Sequence, residues 1–487
     1  MSSSRFIQIR PDNVASDQTI SFKKGFPTLS FTIPAQNGIL DPRSIRINGE
    51  LMVFRGFDAA VNSEQIPVYD ALHLAANPIA ADPNRITMDN RLGIYAMWDQ
   101  LVIRHDKSKQ ICENIQNYNR YMSQYLGLTS SIQDLTGHMN ESSLCQPNAD
   151  AMFFNVVSSG PPTQDGVTPK TRRPKSFSCY LPSGFLMSGQ SVNLMESAFG
   201  GLTIELHLSP DSNCLFSRSG TINDANAQAH YELSKLSLSC EVHDVPAEEM
   251  ASLASQTTGE HEFNTITSLY TTINSTNAQI QYSLGLRYLQ SAFLNFVPAT
   301  HINSLGDNGL ALTQLSNSQV PGAPNARPLC DVKTVQFLKG GSNYPLDFTI
   351  RDVSETTGNV TIADGAGDGG IFNLSDPQLN RMLAESVVPE AMVDKTSLSP
   401  ANVSRVYDLT SDGAAGLPSY KSVKAGGPLY GLGVRMSQFN SGEDYSQEQF
   451  GVALETDLTS DNPQGVYLYF KSKAKLIWSS SGVNLLK

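Results

Sequence analysis

Short runs in which apolar and polar residues alternate recur along the whole chain, each ended by Gly, Pro, Asn or Asp. In "GGLTIELHL", for example, Leu202, Ile204, Leu206 and Leu208 alternate with Thr203, Glu205 and His207. Successive side chains of a strand point to opposite faces, so this pattern fits a half-buried β-strand and little else. About eight such runs precede residue 243, from "TISFKKG" and "TLSFTIP" through "MFFNVV" to "HYELSKLSLSCEV". About eight more follow, from "TITSLYTTI" through "PLDFTIRDV" to "GVYLYFKSKAKLIW". Between the sets lies "HDVPAEEMASLASQTTGEHEF", which is polar and carries no strand rhythm, although "PAEEMASLAS" suits a short helix.

A chain of 487 residues exceeds the roughly 250–300 at which a single core stops growing. Two sets of eight antiparallel strands therefore predict an all-β protein made of two tandem eight-stranded jelly rolls, with short inserted helices and long loops. The expected division is an N-terminal arm over 1–16, a first jelly roll over 17–247, a linker over 248–262 and a second jelly roll over 263–487. "FGGLTIELHLSPDSN" at 199–213 can be laid on "FGVALETDLTSDN" at 450–462 with one gap, so that Glu205 meets Glu455; this supports duplication. One helix is expected in "SKQICENIQNYNRYMSQYLGL", where Ile111, Ile115, Tyr118, Met122 and Tyr125 share a helical face and Gly127 is placed to end it. A second is expected in "SDPQLNRMLAESVVP", where Ser375 and Gln378 form a capping box and Pro377 sits in the first turn.

Charge narrows the function. Only 16% of residues are charged and the net charge is −12. A dedicated nucleic-acid binder needs cations to displace counterions, and an anionic-membrane binder needs them for the same surface charge. No apolar run approaches the ~18–20 residues of a membrane span. "MSSSRFIQIRPDN" lacks the apolar core of a signal peptide, which leads us to expect synthesis inside a cell and thiols rather than disulfides for the six scattered cysteines.

Chemistry-bearing patterns are weak. "GAGDGG" at 365–370 matches a dinucleotide-binding fingerprint by letter, but no βαβ pattern surrounds it and "IFNLS" separates it from the next helix. The eight histidines are dispersed, without HExxH or a Cys/His cluster. No catalytic, cofactor-binding or metal residues are therefore assigned. Lys170, Arg172, Arg173 and Lys175 form the densest basic cluster, readable as a solvated loop or as a contact with an acidic neighbour or nucleic acid. Glu205 and His207 share one strand face and are readable as an acid/base pair, as half of a metal site or, as favoured by the Asp457 that replaces His207 in the repeat, as the outer side of a strand.

"LDPRSIRINGELMVF", "GGLTIELHLSPDSNCLF…AHYELSKLSLSCEV", "LRYLQSAFLNFVPATHIN" and "ICENIQNYNRYMSQYL" resemble segments of the double jelly-roll major capsid proteins of polinton-like viruses and virophages. The resemblance spans roughly residues 20–480 and rests on the order and spacing of short motifs. It implies a virion protein, made and assembled inside a host cell. Homotrimers with a pseudo-hexagonal outline would tile an icosahedral shell around double-stranded DNA. It also implies contacts with neighbouring capsomers, penton and minor capsid proteins, with weak contact between the N-terminal arm and packaged DNA as a further expectation. No cofactor and no catalytic residue follow from it. The competing reading is a jelly-roll carbohydrate-binding or glycan-processing protein, which would need exposed aromatics on one sheet or a placed carboxylate pair; the chain has only two tryptophans, Trp98 and Trp478.

Overall fold

The computed structural model describes residues 3–15, 18–23, 25–54, 57–58, 63–64, 86–88, 92–129, 142–144, 174–217, 230–254, 258–298, 332–344, 409–411, 418–420, 432–436, 442–456, 463–479 and 482–487. In the first half the main elements are β1 (Ser4–Ile9), β2 (Thr28–Ile33), β3 (Ile39–Phe54), β4 (Trp98–His105), β5 (Ile111–Gln116), α1 (Tyr118–Thr129), β6 (Lys175–Tyr180), β7 (Val192–Asn193), β8 (Leu202–Leu208) and β9 (His230–His243). After α2 (Ala247–Ala254) come β10 (Gly259–Ile273), β11 (Asn277–Ser283), β12 (Leu289–Pro298), β13 (Val332–Lys339), β14 (Ser342–Asn343), β15 (Leu432–Arg435), β16 (Gln449–Thr456), β17 (Gln464–Ser479) and β18 (Gly482–Leu486).

Three sheets carry the architecture. The first runs β1-β9-β3-β7, with β6 also on β3; the second runs β2-β8-β4-β5-β10-β17-β12-β15, with β18 on β17; the third runs β11-β16-β13-β14. Within each half the chain crosses between two facing sheets in the same sequence. The strands β1, β3, β7 and β9 lie on one sheet and β2, β4, β5 and β8 on the other. In the second half β10, β12, β15 and β17 repeat the first group, and β11, β13, β14 and β16 repeat the second. The same chain order with the same hydrogen-bonded neighbours is a jelly roll occurring twice. The strands holding the two similar sequences, β8 and β16, occupy the same central place: β8 lies between β2 and β4, and β16 between β11 and β13.

The alternation of β8 explains its seat. Leu202, Ile204, Leu206 and Leu208 are buried in the first core with Leu29, Phe31 and Ile33 of β2 and Leu101 and Ile103 of β4. β17 obeys a different rule. It lies between β10 and β12 in the middle of the longest sheet, and Gln464 to Ser472 are buried throughout. A strand covered on both faces has no need to alternate. The second half keeps its own core, with Ile280, Phe337, Phe450, Val452 and Phe470 among its members. The first core, by contrast, takes in Phe263, Ile266, Phe293 and Tyr469 of the second half.

Two expectations are corrected. The helix expected from about residue 108 begins only at Tyr118, and Ile111–Gln116 is a strand. Two β-branched isoleucines four apart fit either period. Asn117 separates the two elements with φ 54, a left-handed conformation that Asn tolerates better than most side chains. The stripe of Tyr118, Tyr121, Met122 and Tyr125 is buried as a helical face, and the helix runs two residues past Gly127. The N-terminal segment expected as an arm is the second correction. Ser4–Ile9 is a full strand on β9, because Ile7 and Ile9 alternate inward against the first core. The helix expected over 375–387 and the strands expected at "MFFNVV" and "PLDFTIRDV" lie outside the described residues.

Leu206 is fully buried at the centre of this packing. Leu206→Ala is expected to cost about 2–5 kcal/mol in denaturant unfolding. Leu206→Asp, which adds a buried unpaired charge, is expected to yield no folded protein by circular dichroism or size-exclusion chromatography.

Candidate assembly surfaces and the junction between halves

The two halves meet where β5 lies beside β10, through a single parallel ladder position, Asn114 to Thr267. So sparse a ladder leaves the joining to side chains. Glu113, on β5 and fully buried, is one of them. One carboxylate oxygen accepts the N–H of Gly184 at 2.9 Å and that of Ile266 at 2.7 Å; the other accepts the N–H of Phe185 at 3.0 Å. Gly184 and Phe185 belong to the first half and Ile266 to β10 of the second, so one carboxylate links both. Burial pushes the Glu113 carboxyl up from its ordinary value, and the hydrogen bonds from Phe185, Ser183, Ile266 and Gly184 act in the opposite direction. Gly184 is required by contact: a Cβ there would sit 2.7 Å from a Glu113 oxygen and 2.9 Å from the Thr265 backbone.

Further bonds flank the carboxylate. The Thr265 hydroxyl donates to the Cys112 carbonyl at 3.1 Å, the Gln116 N–H donates to the Ser268 hydroxyl at 2.6 Å, and the Tyr469 hydroxyl donates to the Asn117 carbonyl at 3.0 Å. Aromatic rings fill the space on either side. Tyr121 of α1 meets Phe293 and Tyr469 at centroid separations of 6.2 and 5.6 Å. His261 of β10 packs among Phe185, Phe199 and Phe263 at 5.9, 5.2 and 5.8 Å. Burial there lowers the His261 imidazole from 6.5 to about 4.

The outward face of the first sheet is polar and nearly neutral. Gln8 donates to Ser237 at 2.9 Å, Asn48 to Ser239 at 3.0 Å, and Ser178 to Asn48 at 2.6 Å. The Arg46 guanidinium lies 4.1 Å from the Tyr180 ring centroid. Along β1, Phe6 stands 78% exposed.

The sequence candidates fall as follows. Glu205 and His207 make separate pairs on the outer face of β8. Glu205 binds Arg104 at 2.9 Å, and His207 lies 3.3 Å from the Thr28 hydroxyl. This is a cross-strand surface network, not an acid/base pair. Of the basic cluster, Lys175 opens β6, while Lys170, Arg172 and Arg173 lie outside the described residues. Arg5 is held by Asp244 at 3.3 Å. Trp98 is fully buried and Trp478 packs against Phe199, so neither forms an exposed aromatic platform. Cys112, Cys179, Cys214 and Cys240 are buried free thiols; burial pushes the first two up to about 12 and Cys240 to about 11. Among the described residues no group of three or more His, Cys, Asp or Glu is placed to hold a metal ion, and no helix is long and apolar enough to cross a membrane. Sequence reasoning missed Glu113 and His261; a lone carboxylate and a lone imidazole carry no local signal of the partners that β10 and residues 183–185 bring to them.

The fold and its junction define a double jelly roll, two jelly rolls joined side by side in one chain. No protein-family model matches the chain, and no curated protein matches it in sequence. Solved structures do match it along its whole length. The quasi-atomic model of the PBCV-1 virus capsid aligns over 100% of this chain and 97% of that one, with a TM-score of 0.53 and 10% identity. PBCV-1 VP54, fitted into a cryo-EM reconstruction of the virophage Sputnik, aligns over 100% and 97% with a TM-score of 0.51 and 10% identity. The likeness is one of fold.

Two measurements check the junction. Glu113→Gln keeps one acceptor oxygen but turns an amide toward a backbone N–H; the loss expected in denaturant unfolding is about 1–3 kcal/mol, and Glu113→Ala, which strands three N–H groups, costs more. For His261, the unfolded chain takes up the proton near 6.5 and the folded chain only near 4. Its contribution is therefore complete above the higher value and declines as pH falls toward the lower one. His105, also lowered by burial, acts in the same sense, and Glu113, raised, in the opposite one. The comparison that isolates His261 is with His261→Phe, whose melting temperature should fall less than that of the parent between those pH values.

Proposed function

We propose that this chain is a major capsid protein that acts by self-assembly and has no catalytic role. Three copies form a capsomer with a pseudo-hexagonal outline, and capsomers meet one another and penton and minor capsid proteins in an icosahedral shell around double-stranded DNA. The protein is made in the host cell and resides in the virion. The observation that carries this reading is full-length likeness of fold to the PBCV-1 virus capsid, both jelly rolls included. The internal repeat supports it, since two similar units in each of three chains supply six similar walls around one axis. The neutral, hydrogen-bonded outer face of the first sheet supports it too, because many identical copies can meet there without mutual repulsion.

Light scattering on the purified protein is expected to give three times the chain mass of 52.9 kDa. Negative-stain images should show hexagonal-looking particles with threefold features. A particle that stays monomeric across concentration and salt would overturn the reading.

A further inference from the structure

The strand β18 belongs to one half by its ladder and to the other by its packing. It pairs with Lys475–Ser479 of β17, just beyond the stretch of β17 that β12 covers. A further bond to the second half comes from the Arg287 N–H, which donates to the Lys487 carbonyl at 3.3 Å. Its inward side chains, Val483 and Leu485, pack against the first core, and neither belongs to the second. Trp478, opposite Val483 in the ladder, reaches the first half in the same way, through the Phe199 ring at 6.4 Å. The Gln110 side-chain amide, just before β5, donates to the Val483 carbonyl at 2.9 Å. Lys487 then lies close enough to Glu113 for the carboxylate's charge to act on its ammonium.

The same strand is weakly held. Among the described strands it has β17 as its one ladder neighbour, whereas β17 has neighbours on both sides. Gly482, Asn484 and Leu486 are exposed. Elements with few buried apolar contacts and exposed ladder bonds open locally, at lower cost than the core around them. Opening β18 would remove Val483, Leu485, the Gln110 bond and Lys487 from the junction together. The bonds of Glu113 to Gly184, Phe185 and Ile266 involve no residue of β18.

We propose that β18 is a latch, which closes from the second jelly roll onto the first and opens while both cores stay folded. Closed, it holds the two jelly rolls at one angle. Open, it lets that angle vary, and a chain of variable angle offers no single surface to a further copy. Closure therefore sets the chain's competence to associate. That last step rests on the self-assembly proposed above; the latch itself does not.

Hydrogen exchange of the full chain, read by mass spectrometry, tests the latch. Amides of 482–487 are expected to exchange about tenfold or more faster than those of β13 and β16, through local opening. Leu485→Asp sets a charge against the first core, so it should speed exchange in residues 110–116 and leave β13 and β16 unchanged. Ile477 and Asn484 lie directly opposite one another, so Ile477→Cys combined with Asn484→Cys allows a cross-strand disulfide. Its oxidised form is expected to exchange more slowly over 110–116 than its reduced form, a comparison that decides the matter even where Leu485→Asp does not fold. In light scattering the oxidised form should associate as the parent does, and Leu485→Asp about tenfold more weakly, as when one chain in ten is competent. Amides of β18 that exchange no faster than those of β16, or oxidation that leaves 110–116 unchanged, would overturn the latch. Folded Leu485→Asp chains that associate as tightly as the parent would overturn its part in association and leave the capsid reading standing. A parent protein that never associates would overturn the capsid reading, and exchange alone then decides the latch.

Discussion

One buried carboxylate stands at the point on which the two-part architecture depends. Glu113 is held by backbone N–H groups from three residues, one of them across the junction. A carboxylate placed there without donors would be costly to bury, and those N–H groups without an acceptor would be costly too. The two requirements answer each other only when both halves are folded and in register. Gly184 lets the backbone come close enough, and Thr265, Ser268 and Tyr469 add bonds around it. The aromatic groups beside them continue the first core into the second half, so the halves share apolar burial as well as hydrogen bonds.

This arrangement gives the molecule a direction. Inside the chain the fifth strand of the first jelly roll meets the first strand of the second. What a double jelly roll adds over a single one is a worked example, within its own structure, of how one unit sits against another. On the self-assembly proposed above, the neutral polar wall of the first sheet would be a surface at which further copies meet. Glu205 and His207, bound to Arg104 and Thr28, behave as ordinary outer-face residues.

Much of the fold was legible in the chain itself. Alternation located β8 and β16 and showed which of their residues face inward, because the period of two is local and survives without knowledge of any partner. The division into two similar units followed from counting such runs and from the likeness of "FGGLTIELHL" to "FGVALETDL". Local signals failed where two periods overlapped. Ile111 and Ile115 satisfied a helical stripe and a strand alike, and only the turn at Asn117 separates β5 from α1. They failed again at residues 4–9, where a short polar segment became a strand because β9 offered it a ladder.

By itself, then, the sequence determined the class of structure: strand-rich, duplicated, low in charge and without a recognisable catalytic motif. Tertiary structure alone decided which strands neighbour which, and so where the halves join, which edges remain open and what environment each isolated polar residue meets. Glu113 and His261 look unremarkable in the chain because a side chain's burial and partners come from strands far away in sequence. Glu113 and Ile266 are 153 residues apart, and the hydrogen bond between them exists only once the long sheet has closed.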